Sequence, residues 1–290
     1  MDLIQAIILG LIQGLTEFLP ISSSGHLYIV PEVMGWKDAG AGFTAVIQIG
    51  TLLAVLIYFR QDLAKTLSTW FKSFGDAELR KTPEARLAWG IVVGTIPIVV
   101  AGLALQDFIE SSARNPFVVA GTLIFFAILL AIAEKVGSQR RKQEDFQVKD
   151  GLVMGLWQAL ALIPGSSRSG CTITGGLFSQ FDRAAAARAS FLLSIPAVTL
   201  SGIYKLIQER QALLTDGAAT TITATVVAFI SGYWAIAFLM KFLQTKSTMV
   251  FVVYRVILGG VILALALSGY FNHQQAVETA VRQPASHVVL

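Results

Sequence analysis

Cysteine occurs once in this chain, at Cys171, so no intrachain disulfide can form and no cysteine cluster can hold a metal. Charge is scarce too: 14% of residues are Asp, Glu, Lys or Arg, against the roughly 25% of a soluble domain. The chain does not open with a basic segment, an apolar core and a small-residue cleavage site, so no removable signal peptide is expected. Walker loop, HExxH and dinucleotide fingerprint are all missing, which leaves no motif evidence for the nucleotide and zinc sites they mark. The net charge of +4 does not call for a nucleic-acid partner, because the Lys and Arg residues fall in short loops where membrane topology accounts for them.

What is abundant is apolar. Of 290 residues 54% are hydrophobic, and the mean hydropathy is +0.67. Six runs, 43–59, 87–105, 117–133, 189–206, 222–239 and 250–267, approach the roughly 20 residues that cross a bilayer. Two further apolar stretches, 2–34 and 151–181, are interrupted at "LPISSSG" and "IPGSSRSG". Proline and glycine stop helices there, beside serines that prefer caps. Each stretch reads as a helix, a polar turn and a second helix that re-enters the membrane. The expected fold is therefore an all-α integral membrane protein with six transmembrane helices and two re-entrant hairpins.

Sliding the chain by 145 residues lays Gly10, Leu11, Gln13, Leu15, Ser22, Ser24 and Gly25 on identical residues at Gly155, Leu156, Gln158, Leu160, Ser167, Ser169 and Gly170. This predicts a duplicated unit within a single membrane domain, 1–270, with repeat 1 about 1–136 and repeat 2 about 148–270, followed by a polar tail, 271–290. Each copy holds one hairpin and three spans, an odd number, so the second copy enters the membrane inverted. The loop charges bear on orientation. One side collects the Lys and Arg residues of 60–86, 135–149, 183–188 and 241–246, and the other receives Lys37, Arg114, Lys205, Arg210 and Arg282. By the positive-inside rule the first side is cytoplasmic and both termini lie outside.

Irregular backbone at membrane depth must be buried in protein or line a water-filled cavity. Helices starting after "SSS" and after "SRS" are expected to aim their free N–H groups into that cavity, a setting suited to phosphate. Arg168 adds a planar fork for two phosphate oxygens. An arginine at mid-span costs about 3 kcal/mol on insertion scales, so it either meets an anion or snorkels to the interface. Gln13 and Glu17 share a helix face. Glu17 reads as a proton acceptor, as a ligand for Mg²⁺ completed by substrate phosphate, or as a protonated acid bonded within the bundle. His26 lies close enough to the serines for a Ser and His pair to activate a hydroxyl, with a structural histidine as the alternative. Ser22 and Ser24 read equally as capping or packing residues. Gln48 and Gln158 line the same cavity or make interhelical hydrogen bonds, and Glu134 is expected to pair at the surface with Lys135.

"QGLTEFLPISSSGH" and "PGSSRSGCT" resemble the two signature motifs of the undecaprenyl-pyrophosphate phosphatase family, the bacitracin-resistance type: Glu or Gln, three residues, Glu, then P-x-S-S-S/T-G-H, and P-G-x-S-R-S-x-x-T. The similarity extends to about Tyr270 and includes "VIQIG" and the pair Tyr254–Arg255. The resemblance implies an enzyme of the bacterial cytoplasmic (inner) membrane that removes one phosphate from the C55 polyprenyl diphosphate, regenerating the lipid carrier for cell-wall polymers with the help of a divalent cation, Mg²⁺ or Ca²⁺. It implies Glu17 as the essential acid and metal residue, Ser23 as nucleophile or phosphate ligand, His26 as its proton-transfer partner, and Arg168 with Ser167, Ser169 and Thr172 as the diphosphate clamp. Gln13 stands where many members carry glutamate, which leaves Glu17 as the single carboxylate; Gln13, Ser22 and Ser24 complete the expected substrate contacts. The partners are the lipid diphosphate and the bilayer, with a homo-oligomer left open. The rival reading is a transporter or flippase for a polyprenyl phosphate, alone or combined with the phosphatase, since inverted repeats with broken helices are common in transporters.

Overall fold

The computed structural model describes residues 1–37, 40–105, 115–208 and 217–271, and the regular structure in them is helical. The tail beyond residue 271 and Arg114, Arg210 and Arg282 lie outside the described residues. Phe271, counted with the tail by composition, is buried against Tyr28.

Helix α1 (Leu3–Phe18) is started by Asp2, whose carboxylate accepts the Gln5 N–H while the Gln5 side chain accepts the Asp2 N–H. It stops before Leu19 and Pro20, and α2 (Ser23–Met34) turns back and ends on Gly35, in the left-handed conformation. The second hairpin is α7 (Val148–Leu160) and α8 (Arg168–Phe178). With 16 and 13 residues, α1 and α7 are about 24 Å and about 20 Å long at 1.5 Å per residue. Both fall short of the roughly 30 Å hydrocarbon core.

Among the described residues five helices are long and apolar enough to cross a membrane: α5 (Pro83–Ala104), α6 (Pro116–Val136), α9 (Arg183–Gln208), α10 (Ala218–Phe242) and α11 (Met249–Leu267). The sixth expected span is α3 (Gly40–Tyr58), which turns by 77° into α4 (Arg60–Ser73). Only α3 was foreseen. In α4, Thr66 and Ser73 are buried while Leu67 and Phe71, with Phe74 just past its end, stay exposed, and the helix packs on α5.

Close backbone approach seats both hairpins. A Cβ on Gly10 would stand 2.4 Å from the Ala224 carbonyl oxygen of α10, and one on Gly155 would stand 2.1 Å from that of Gly94 on α5. Small residues at helix contacts allow this approach where lipid offers no hydrophobic drive. Thus α1 lies on a span of the second half and α7 on a span of the first. Between them α3 packs on α9 and α6 on α11, and α9 is the most enclosed of the spans.

Ion pairs gather at one end. Glu134 does not pair with Lys135 at the surface; it is buried, 2.5 Å from Arg183 Nη2, and accepts the Thr248 hydroxyl at 2.7 Å, so that α6, α9 and the start of α11 are clamped together. Arg188 pairs with Asp62, and Arg141 with Asp150 at the foot of the second hairpin.

Candidate active site

Ser22 and Ser167, matched by the 145-residue offset (167 against 22), share an unusual backbone: φ 75°, ψ 97° and φ 70°, ψ 110°. Positive φ is costly for a residue with a Cβ and persists where the surroundings enforce it. Each serine is the N-cap of the returning helix, its hydroxyl accepting the N–H of Gly25 or Gly170. The helices consequently begin at Ser23 and Arg168, within the serine runs and not after them, because the first serine of each cap supplies the acceptor. Both turns are then joined: Ser24 Oγ accepts the Gly165 N–H at 3.2 Å, and the Ser169 hydroxyl donates to Leu19 O at 3.0 Å.

The two first-turn residues, Ser23 and Arg168, meet on one carboxylate. The Ser23 hydroxyl donates to Glu17 Oε2 at 2.7 Å, and Arg168 Nη2 donates to Glu17 Oε1 at 2.9 Å. Gln13 Nε2 adds a bond to Oε2 at 3.1 Å and Gln48 Nε2 reaches Oε1 at 3.5 Å. Glu17 and Arg168 are nearly enclosed, with side chains 6% and 12% exposed. Arg168 Nε and Nη1 are buried and have no partner among the described residues. Two donor nitrogens of a fixed guanidinium therefore remain for an anion, next to the N–H groups that the first turn of a helix leaves unpaired. Beside them is a small cavity lined by Glu17, Arg168, Thr51 and Ser194 together with Phe18, Leu52, Val55 and Val198.

Ser23 and His26 do not bond to each other here. His26 Nδ1 lies 2.7 Å from the Ser22 carbonyl, which can only accept, so this nitrogen carries the proton; Nε2 then accepts from the Tyr254 hydroxyl at 2.6 Å. The nearest acceptor to Ser23 is Glu17. Ser167, Ser169 and Thr172 are likewise engaged in holding the second turn, with Thr172 bonded to Arg168 O and to Ser190. Gln48 does reach the site, whereas Gln158 is fully buried with no hydrogen-bond partner among the described residues. Thr51, Ser194 and the contacts of Tyr254 and Arg255 were not foreseen. An arginine within the apolar run 250–267 was the available signal for the last.

No group of three or more His, Cys, Asp and Glu side chains capable of holding a metal occurs among the described residues. One carboxylate and neighbouring amide and hydroxyl groups remain, an oxygen-donor set that fits a hard cation only when phosphate oxygens and water supply the other ligands, as they commonly do for Mg²⁺. The residues fit a cation in that shared form.

The sequence model of the family described as bacitracin resistance protein BacA matches residues 6–261. A protein of Myxococcus xanthus (strain DK1622), named undecaprenyl-diphosphatase, is 51% identical over 278 residues, covering 96% of this chain and 94% of its own. One of Thermobifida fusca (strain YX) with the same name is 51% identical, covering 96% and 95%, and one of Prosthecochloris aestuarii is 50% identical, covering 93% and 99%.

Proposed function

The chain belongs to the bacitracin resistance protein BacA family, and on that premise we propose that the junction of its two hairpins is the active centre of an undecaprenyl-diphosphatase. The protein is a multi-pass membrane enzyme that hydrolyses undecaprenyl diphosphate to undecaprenyl phosphate and inorganic phosphate, returning the lipid carrier to cell-wall synthesis. The observation that carries the assignment to this site is the convergence of Ser23 and Arg168, one from each hairpin, on Glu17.

Ser23 Oγ attacks the terminal phosphorus. A Ser23 O–P bond forms, the bond from that phosphorus to the bridging oxygen breaks, and undecaprenyl phosphate leaves with the electron pair. Glu17 takes the hydroxyl proton and passes it to the departing monophosphate. Water then attacks the phosphoserine, giving a proton to Glu17, which returns it to Ser23 Oγ as inorganic phosphate is released. The free nitrogens of Arg168 and the first N–H groups of α2 and α8 bind the phosphoryl oxygens and meet charge that grows on them in the transition state. A Mg²⁺ or Ca²⁺ ion held at Glu17 would supply further charge neutralisation on the diphosphate.

The loop charges support placing the Arg- and Lys-rich end in the cytoplasm of a bacterial inner membrane, with both termini outside. Transport of a polyprenyl phosphate would use the same meeting of two half-depth hairpins, but it needs no hydroxyl hydrogen-bonded to a carboxylate. The test is phosphate release from undecaprenyl diphosphate by purified protein with Mg²⁺, Ca²⁺ or EDTA. Cation-dependent release that is lost in Ser23→Ala is expected. No release from folded wild type would reassign the site to lipid-phosphate transport, and full turnover by Ser23→Ala would remove the phosphoserine route.

A further inference from the structure

Tyr254 and Arg255 are consecutive residues of α11, and each holds a different hairpin. Tyr254 stacks on the His26 ring, with centroids 5.6 Å apart and planes 7° from parallel, and donates its hydroxyl to Nε2 at 2.6 Å. Through Nδ1 the same imidazole grips the Ser22 carbonyl, so Tyr254 fixes the tautomer that holds the strained cap in front of Ser23. Arg255 turns to the other hairpin. Its Nη2 bonds Ser166 O at 2.8 Å and reaches Gly165 O at 3.4 Å and Thr122 O at 3.5 Å. The Ser166 and Gly165 carbonyls belong to the turn that ends in the Ser167 cap and launches Arg168, and the Thr122 carbonyl belongs to α6 beside it.

Arg255 is 0% exposed and has no carboxylate among its described partners. A guanidinium buried that way is costly, and simple packing would be met by an apolar side chain. Gly170 is part of the same fit, since a Cβ there would stand 2.6 Å from Arg255 Nη1. The fixed feature is thus a distance: one rigid turn of α11 sets where the first cap and the second cap stand relative to each other.

We propose that Tyr254–Arg255 is the positioning element of the active centre, a two-residue strap that fixes the gap between Ser23 on one hairpin and Arg168 on the other. It rests on the phosphatase reading of that site. Neither residue touches the reacting atoms, so the effect of loosening the strap falls on turnover more than on capture of the lipid. A displacement of about 1 Å at a reacting centre can cost about 100-fold in rate.

The experiment compares wild type, Tyr254→Phe, Arg255→Lys and the double variant by phosphate release and by ¹⁵N NMR of labelled His and Arg side chains in detergent. His26 and Arg168 resonances are assigned by His26→Asn and Arg168→Lys. Tyr254→Phe keeps the ring stack and removes one O–H; Arg255→Lys keeps the charge and loses the span over several carbonyls. The strap predicts a 10- to 100-fold lower kcat with KM within about twofold in each single variant, and a double variant no worse than the poorer single one by more than about threefold. It also predicts that Tyr254→Phe moves the His26 Nε2 resonance and that Arg255→Lys, at a side chain bonded to the Ser166 carbonyl, moves the Arg168 guanidinium resonances. Wild-type kcat in Tyr254→Phe, or losses that simply multiply in the double variant, would overturn it. If wild type released no phosphate the phosphatase reading would fall by itself, and the NMR shifts would still decide the strap: unmoved His26 and Arg168 resonances contradict it.

Discussion

Glu17 receives donors on both oxygens, from Arg168 and Gln48 on one and from Ser23 and Gln13 on the other. A carboxylate so bound is fixed in orientation, with Oε2 2.7 Å from the Ser23 hydroxyl, within the hydrogen-bond reach that a base for that hydroxyl requires. Glu17→Gln keeps the shape and removes the base, and phosphate release should drop by about 10²- to 10⁴-fold. Retention of more than a tenth of the activity would take the proton-acceptor role from Glu17. Gln13, 3.1 Å from that carboxylate, gives a complementary test. Gln13→Glu sets a second acid beside the first and should lower the Mg²⁺ concentration giving half-maximal rate, because Mg²⁺ gains a protein carboxylate; an unchanged cation requirement would move the ion away from Glu17. Sequence made these residues visible because acid, hydroxyl and guanidinium are rare in apolar runs. It did not show that His26 turns away from Ser23, since the partner that takes its Nε2 lies 228 positions further on, beyond any local spacing.

The broken hairpins are the most legible elements, because proline, glycine and serine interrupt apolar runs too short to span. Their returning helices begin two residues earlier than expected, because the capping hydroxyls are those of Ser22 and Ser167, ahead of Ser24 and Ser169. The 77° turn from α3 into α4 was unread: no proline or glycine marks it, and the chain simply passes from Tyr58 and Phe59 to the charged start of α4. Glu134 was misassigned for a related reason, its partner Arg183 being 49 residues away while Lys135 is adjacent. How a hairpin is seated was also invisible, as it depends on which glycines face each other. Gly155→Ala should unseat α7 from α5, lowering stability by about 1–3 kcal/mol and activity with it. Gly121→Ala on α6, where the new Cβ meets nothing within 4 Å, should leave the thermal midpoint unchanged. Equal midpoints for the two variants would refute the close-contact account.

Over the whole molecule, duplication and charge asymmetry in the sequence support the proposal that the two halves are inserted in opposite senses, with hairpins entering from opposite faces. Cys171 is fully buried and gives a silent background for labelling. Asp2→Cys and Ser268→Cys should react with a membrane-impermeant maleimide in intact cells, and Gly75→Cys only after permeabilisation. Labelling of positions 2 and 268 from opposite sides would contradict the inverted arrangement. Whether one site is built from both hairpins is tested by phosphate release from undecaprenyl diphosphate by wild type, Glu17→Ala, Arg168→Ala and the double variant at saturating Mg²⁺. Losses of about 100-fold or more in each single variant, with a double variant little worse than either, are predicted for two groups acting as one unit. Full activity in Arg168→Ala, or losses in the double variant that multiply, would contradict a shared catalytic centre.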